Sequence, residues 1–241
     1  MKFLVTGGLG YIGSCMTAFL VNQGHKVCII DSEISSSIGF NKILEVGAEF
    51  YRSDISSPDV ERYLLENKFD AVFHFAGLID VEESTREIEK YYTENFFKTV
   101  KFANMCKKSG INKFIFSSTA AVYGNNNSSL EESLPCRPSN PYGNSKFFAE
   151  IALKEMSCDT FKIVCFRYFN VAGAFPEVNL GENRNNETHL IPCAMSCGEI
   201  DEVLDVFGND YNTNDGSCIR DYIHVRDLTS AHLLGISDKI K

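Results

Sequence analysis

No dense run of lysine and arginine occurs anywhere in these 241 residues, and the formal charge is −9. Nucleic acid is therefore not expected as the main partner. No apolar run approaches the roughly 20 residues that span a bilayer, so no membrane association is expected. Met1 is followed almost at once by the first apolar run, so no signal peptide is expected either. There is no C-x-x-C pair among the nine cysteines, which are scattered and odd in number. Most lie within apolar patterns, which predicts buried free thiols in a reducing, cytoplasmic setting. His189, Cys193 and Cys197 are spaced by four and could share a helix face. Pro192 and the lack of a clear fourth ligand argue against a metal there, and none is expected. Internal repeats are also missing. A hydrophobic share of 44% over this length suits one large domain, or one domain plus a small lobe, with ample core.

What is present is organised around Lys2 to Gly13. A short apolar run, Phe3 to Val5, ends in a turn with glycines at Gly7, Gly10 and Gly13, and a helical pattern follows. Strand, glycine turn and helix N-terminus form a pyrophosphate site: glycines let the backbone approach the phosphates, and the helix start favours negative charge. A second apolar run, Val27 to Ile30, ends at Asp31, close to the spacing expected of a ribose-binding carboxylate. Asp31 repels a 2′-phosphate, and no arginine follows closely to receive one, which favours NAD over NADP. The glycine spacing is G-x-x-G-x-x-G, which resembles the extended branch of the short-chain dehydrogenase/reductase superfamily.

Further along, apolar runs at 48–51, 70–75, 112–116 and 161–166 alternate with helical patterns. One of these patterns runs continuously from Glu83 to Lys108. The alternation predicts an α/β fold, a doubly wound parallel sheet of Rossmann type over residues 1–166. From Arg167 to Lys241 the regularity stops, which predicts a small, incomplete second lobe. His74 reads as a satisfied core histidine. Ser117, Ser118 and Thr119 follow the fifth run, at the strand end where such sheets bind ligands.

Tyr142 and Lys146 stand four apart at the start of a helix, one above the other on one face. A neighbouring ammonium and an oxidised nicotinamide both favour the phenolate and so lower the tyrosine pKa. That makes Tyr142 a general base, and in its neutral form a general acid. Thr119 would complete the catalytic group by hydrogen-bonding the substrate oxygen.

With Leu4 to Ser14, His74 to Leu78, Phe114 to Gly124, Pro141 to Lys146, Arg167 to Gly173 and Phe207 to Val225 considered together, the chain resembles the UDP-glucose 4-epimerase family over nearly its whole length. The resemblance implies oxidation of a UDP-hexose at C4 and re-reduction from the other face, with NAD regenerated in each turnover. It implies cofactor contacts from Tyr11, Ile12, Asp54, Ile55, Phe75, Ala76, Gly77, Asn95, Ser117 and Phe169, besides the glycine loop, Asp31, Tyr142 and Lys146. For the UDP-sugar it implies Thr119, Asn170, His189, Leu190, Phe207 and Arg220, and it implies a homodimer. Ala120 and Ala121 follow Thr119 where related dehydratases and decarboxylases carry an acidic residue, so chemistry confined to C4 is expected. Three departures stand out. Ile79 replaces a lysine found in some members, and His189 stands where many have asparagine. Members also continue for roughly another quarter of their length, a part that supplies further uridine-diphosphate contacts. The alternatives are therefore an impaired remnant that binds only NAD, or a related sugar-nucleotide dehydratase or decarboxylase.

Overall fold

Six runs of apolar residues become six parallel strands in the computed structural model, which describes residues 1–33, 40–125, 129–184, 187–200, 203–206 and 208–237. They are β1 (Lys2–Thr6), β2 (Lys26–Asp31), β3 (Glu49–Arg52), β4 (Ala71–His74), β5 (Lys113–Ser117) and β6 (Lys162–Phe166). Their spatial order is β3-β2-β1-β4-β5-β6. The chain starts at the sheet centre, winds outward to β3, then crosses back past β1. This is the doubly wound order that was expected, and it leaves a crevice at the carboxyl ends of β1 and β4.

Both faces of the sheet are covered, which is why the strands read as unbroken apolar runs. Leu4, Ile30, Val72, Phe114 and Phe116 point to one face. There they meet Val60 and Leu64 of α3 (Pro58–Glu66), Phe102 of a helix at Lys98–Lys108, and Leu153 of a helix at Pro141–Met156. Phe3, Val5, Ile29, Phe73 and Ile115 point to the other, against Met16 and Leu20 of α1 (Tyr11–Asn22). A short α2 (Phe40–Val46) leads into β3.

The helix expected over 83–108 is broken. It comprises α4 (Val81–Arg86), α5 (Ile88–Tyr91), a π-helical turn (Tyr92–Phe97) and α6 (Lys98–Lys108). Asp80 caps α4 by accepting from the Glu83 N–H at 2.8 Å, and Glu87 leaves the helical region at φ −116°, ψ 52°. Helix α7 (Pro141–Met156) follows as expected, with Asn140 accepting from the Gly143 N–H at 2.8 Å.

Beyond β6, β7 (Asn170–Ala172) pairs in parallel with β10 (Tyr222–His224), and β8 (Ala174–Phe175) pairs antiparallel with β9 (Leu180–Gly181). Two helices complete this part, α8 (Leu190–Ile200) and α9 (Val225–Leu234). Val225 and Leu228 of α9 pack with Tyr11, Cys15 and Ala18 of α1, and Leu233 reaches the sheet core. The last described helix thus shares a sheet face with the first. All nine cysteines are free, but only Cys15, Cys28 and Cys106 are buried; Cys158 and Cys218 are exposed. The expectation of mostly buried thiols is corrected accordingly. Among the described residues no helix is long and apolar enough to cross a membrane.

Two buried histidines give the fold an acid sensitivity. His74 meets the hydroxyls of Thr6 (2.7 Å) and Thr99 (3.0 Å), as a satisfied core residue should. His232 donates from Nδ1 to the Leu228 carbonyl at 2.8 Å and stacks on Phe166. Burial pushes His74 down to about 3 and His232 down to about 4. A histidine held neutral in the fold takes up its proton only on unfolding, so stability is lost as pH falls below about 6.5. Urea midpoints should therefore decline between neutrality and about pH 4, and a His74→Gln/His232→Gln chain should show a shallower decline in that window.

Candidate active site

The crevice between β1 and β4 forms a cleft of about 300 Å³. Its floor is the glycine turn. Gly7 has φ +67°, and a Cβ there would lie 2.6 Å from the Ala76 nitrogen. A Cβ on Gly13 would lie 2.1 Å from the Gly7 carbonyl oxygen. The turn closes only without side chains at these points, and α1 starts directly behind it with no acidic residue in its first turn. Asp31 lines the rim, its carboxylate fixed by the N–H groups of Leu9 (3.0 Å) and Glu33 (2.8 Å). Asp54, Ile55, Phe75, Ala76 and Gly77 line it too, as expected. Asp54 accepts from Ser56 and from Lys98 Nζ (2.6 Å), so it is a turn residue and a cleft residue at once.

Tyr11 and Ile12 turn their side chains away. The Tyr11 hydroxyl donates to the Gly173 carbonyl at 2.6 Å, and Ile12 packs against the α1–α9 cluster. What they offer a phosphate is backbone N–H at the helix start. Sequence reasoning missed Arg52. Strand register sets it opposite Asp31, and it ion-pairs with Glu33. It also missed Lys90 and Glu94, which reach the cleft from α5 and the π turn.

Asn95 is fully buried within that π turn, a distortion often found at functional sites. It accepts from the Leu78 N–H at 2.8 Å and donates to the Leu78 carbonyl at 3.0 Å, as a neighbouring strand would. The same amide donates to Ser145 at 3.2 Å, tying the cleft wall to α7. An Asn95→Ala chain should lose about 2 to 4 kcal/mol of unfolding free energy in urea titrations, because two buried backbone groups lose their partners.

On α7, Tyr142, Lys146 and Glu150 lie on one face, and three consecutive residues at the end of β5 reach them. Thr119 stands beside Tyr142 and favours its phenolate, Ser117 accepts from Lys146 Nζ through its carbonyl at 3.2 Å, and Ser118 donates to Glu150. The expected trio Thr119, Tyr142 and Lys146 is therefore assembled. Thr119 also accepts from the Ala121 N–H at 3.1 Å, which shapes the turn Ala120–Tyr123. Lys146 is 3% exposed, and desolvation pushes its ammonium down to about 8 while the Glu150 charge opposes the drop. Tyr142 differs from the expectation. Desolvation holds its phenol above the ordinary value, against the Thr119 hydrogen bond and the Arg184 charge. The lowering expected of the tyrosine is not produced by the protein's own groups, because burial outweighs them.

Apart from Thr119, the described residues expected on the sugar side lie in the second part of the chain and do not line the cleft, and neither does Phe169, which was expected on the cofactor. Phe169 is exposed three residues beyond β6, and Asn170 donates to the Asp221 carbonyl at 3.1 Å. His189 Nδ1 is 2.7 Å from Glu182, which also pairs with Arg184 at 2.8 Å. Leu190 is exposed at the first position of α8. Arg220 is exposed and donates to the neighbouring Ile219 carbonyl at 2.8 Å. Phe207 lies outside the described residues. Glu182, Glu187 and His189 converge, while the Cys193 thiol donates to the Glu187 carbonyl at 3.6 Å.

A parallel sheet in this order, a glycine turn at its switch point and a tyrosine–lysine pair on the adjacent helix define a dinucleotide-dependent enzyme of the Rossmann class. Residues 3–239 match the NAD dependent epimerase/dehydratase family, and the chain belongs to it. It is 39% identical to a UDP-glucose 4-epimerase of Streptococcus mutans and 40% identical to one of Streptomyces lividans. Each alignment covers 98% of this chain, and respectively 72% and 71% of the relative. Among solved structures it is similar to a UDP-glucose-4-epimerase from Stenotrophomonas maltophila with bound NAD and formylated UDP-arabinopyranose. There the TM-score is 0.90 at 35% identity, over 98% of this chain and 73% of that one.

Proposed function

We propose that this chain interconverts UDP-galactose and UDP-glucose by inversion at C4, with NAD as a regenerated cofactor. The observation that carries the reading is the seating of Tyr142 and Lys146 against the end of β5, with Thr119 beside the phenol and Lys146 next to Gly77 of the glycine-floored cleft. That cleft fits a dinucleotide: its floor has room only for glycine at Gly7 and Gly13, and Asp31 is fixed at the rim. NAD, when bound, supplies the reversible acceptor and donor for the hydrogen on C4. Tyr142 takes the proton of the C4 hydroxyl and returns it, changing between phenol and phenolate. Lys146 stabilises the phenolate, and Thr119 holds the substrate oxygen against it. Ala120 and Ala121 leave no acidic group beside Thr119, which supports chemistry confined to C4 over dehydration or decarboxylation.

Cofactor contacts are assigned to Gly7, Gly10, Gly13, Asp31, Asp54, Ile55, Phe75, Ala76, Gly77, Asn95, Ser117 and Phe169, and to the Tyr11 and Ile12 backbone. Sugar-nucleotide contacts are assigned to Asn170, His189, Leu190, Phe207 and Arg220. In this reading residues 1–166 carry the cofactor and 167–241 form part of the sugar-nucleotide lobe, in a cytoplasmic enzyme. Ile88, Phe97, Phe148 and Ile151 expose apolar surface on α5, the π turn and α7, which supports a homodimer through these helices; a single sedimenting species of monomer mass would remove it. The test of the function is conversion of UDP-galactose to UDP-glucose by the purified chain with NAD. Turnover is expected. Folded, NAD-retaining protein with no turnover would overturn the reading in favour of a binding-only chain.

A further inference from the structure

The spacing that joins Tyr142 to Lys146 continues to Glu150. Glu150 is 7% exposed and does not line the cleft. Arg167, just past β6, grips it with Nε at 3.1 Å from both carboxylate oxygens and Nη2 at 2.6 Å from one. The same guanidinium donates to the Tyr123 hydroxyl at 3.0 Å and lies over the Tyr123 ring at 5.0 Å. Ser118 donates to Glu150 from the other side. Lys146, by contrast, has no carboxylate in ion-pair contact among the described residues. Its Nζ donates to the Ser117 carbonyl and lies 5.1 Å from the centre of the Phe116 ring.

A buried ion pair is poorly explained by stability, since well-packed apolar residues serve as well or better. A fixed negative charge one helical turn from a buried ammonium has a different use. We propose that Glu150 is a positioning residue of the acid–base site, supplying the counter-charge that keeps Lys146 cationic, with Arg167 attenuating that charge and fixing its place. The proposal deepens the epimerase reading and rests on it for its bearing on turnover. The titratable and charged groups facing this pair are His74 on β4, Tyr142 on α7, Cys165 on β6, Arg167, Tyr123 and Cys136. His74 is neutral above acid pH, and burial raises Cys136 and Cys165, so at neutrality Arg167 is the charged neighbour acting on Glu150. The direction of the Glu150 influence on Lys146 agrees with this geometry.

The test follows Lys146 itself, in NAD-loaded chain carrying carbon-13 at lysine Cε, with its signal assigned by loss in Lys146→Met. Glu150→Gln should move the Lys146 midpoint down by about one pH unit, and Arg167→Gln should move it up. Glu150→Asp should restore most of the shift. Turnover of Glu150→Gln should fall about twofold at pH 7 and about ninefold at pH 9, with KM within about twofold, because a unit of pKa changes the protonated fraction of Lys146 tenfold only above its midpoint near 8. A merely structural role would lower the melting temperature of Glu150→Gln and Arg167→Gln while leaving the Lys146 midpoint in place, and that result overturns the proposal. The magnetic-resonance arm decides the matter even if the wild-type chain converts no UDP-galactose.

Discussion

Tyr142→Phe should lower turnover of UDP-galactose about a thousandfold, while the Kd for NAD stays within about twofold. The substitution removes one oxygen and keeps the ring, which meets Tyr91 edge-on at 6.5 Å and 89°. No other described group takes the phenol's place: an aliphatic hydroxyl such as Thr119, which accepts from the Ala121 N–H, is too weak an acid, and Lys146 donates to a carbonyl. A general acid–base group contributes roughly 10²- to 10⁴-fold, and a thousandfold loss corresponds to about 4 kcal/mol of barrier. The sign of the pH dependence follows from burial. The phenol is held above its ordinary value, so the basic form is scarce at neutrality, and wild-type turnover should climb as pH rises towards 8 and stop climbing as Lys146 loses its charge there. The variant should lose that climb. Turnover above about a tenth of wild type, with the slope retained, would show that another group carries the proton.

The second large effect lies in the glycine turn. Gly13→Ala should weaken NAD binding about a hundredfold or more and lower unfolding free energy by about 1 to 3 kcal/mol. The added carbon would sit 2.1 Å from the Gly7 oxygen and 2.8 Å from the Gly7 carbonyl carbon, both backbone atoms of the phosphate-facing turn. Neither can swing aside as a flexible side chain would, so the turn must open and carry its N–H groups out of place. Gly10→Ala is the internal control: its Cβ meets only the Gly7 oxygen, at 3.3 Å, and the backbone there has φ −79°. Its loss of affinity should be no more than about tenfold. Calorimetric NAD titration of both variants beside urea unfolding separates a damaged turn from a damaged fold, and equal losses in the two would contradict the packing argument.

Local chemistry in the sequence foretold what local spacing can carry. Gly7, Gly10 and Gly13 after a short apolar run, Asp31 at the end of the next, and Tyr142 four before Lys146 each specify their own geometry. Arg52 could not be placed, because its position opposite Asp31 depends on the register between β2 and β3. The π turn was hidden as well, since its residues read as one helix with their neighbours. The rise in the tyrosine's pKa was hidden for a similar reason: Lys146 is visible in the spacing, but the burial that outweighs Thr119 and Arg184 is a property of the packed whole. Glu150 was within reach through its position four beyond Lys146, yet only its contact with Arg167 distinguishes it from an ordinary helix-surface glutamate.

The packing of α9 against α1 has a consequence for how the molecule comes into being. During synthesis the glycine turn and its helix leave the ribosome well before α9, and Cys15 and Ala18 of that helix find Val225 and Leu228 only after some two hundred further residues have emerged. Until then the Cys15 and Ala18 side of the first helix lacks its α9 cover, so a nascent chain released early, or stalled before α9, would offer that surface to chaperones. The dinucleotide turn therefore acquires its finished support only once α9 has been made.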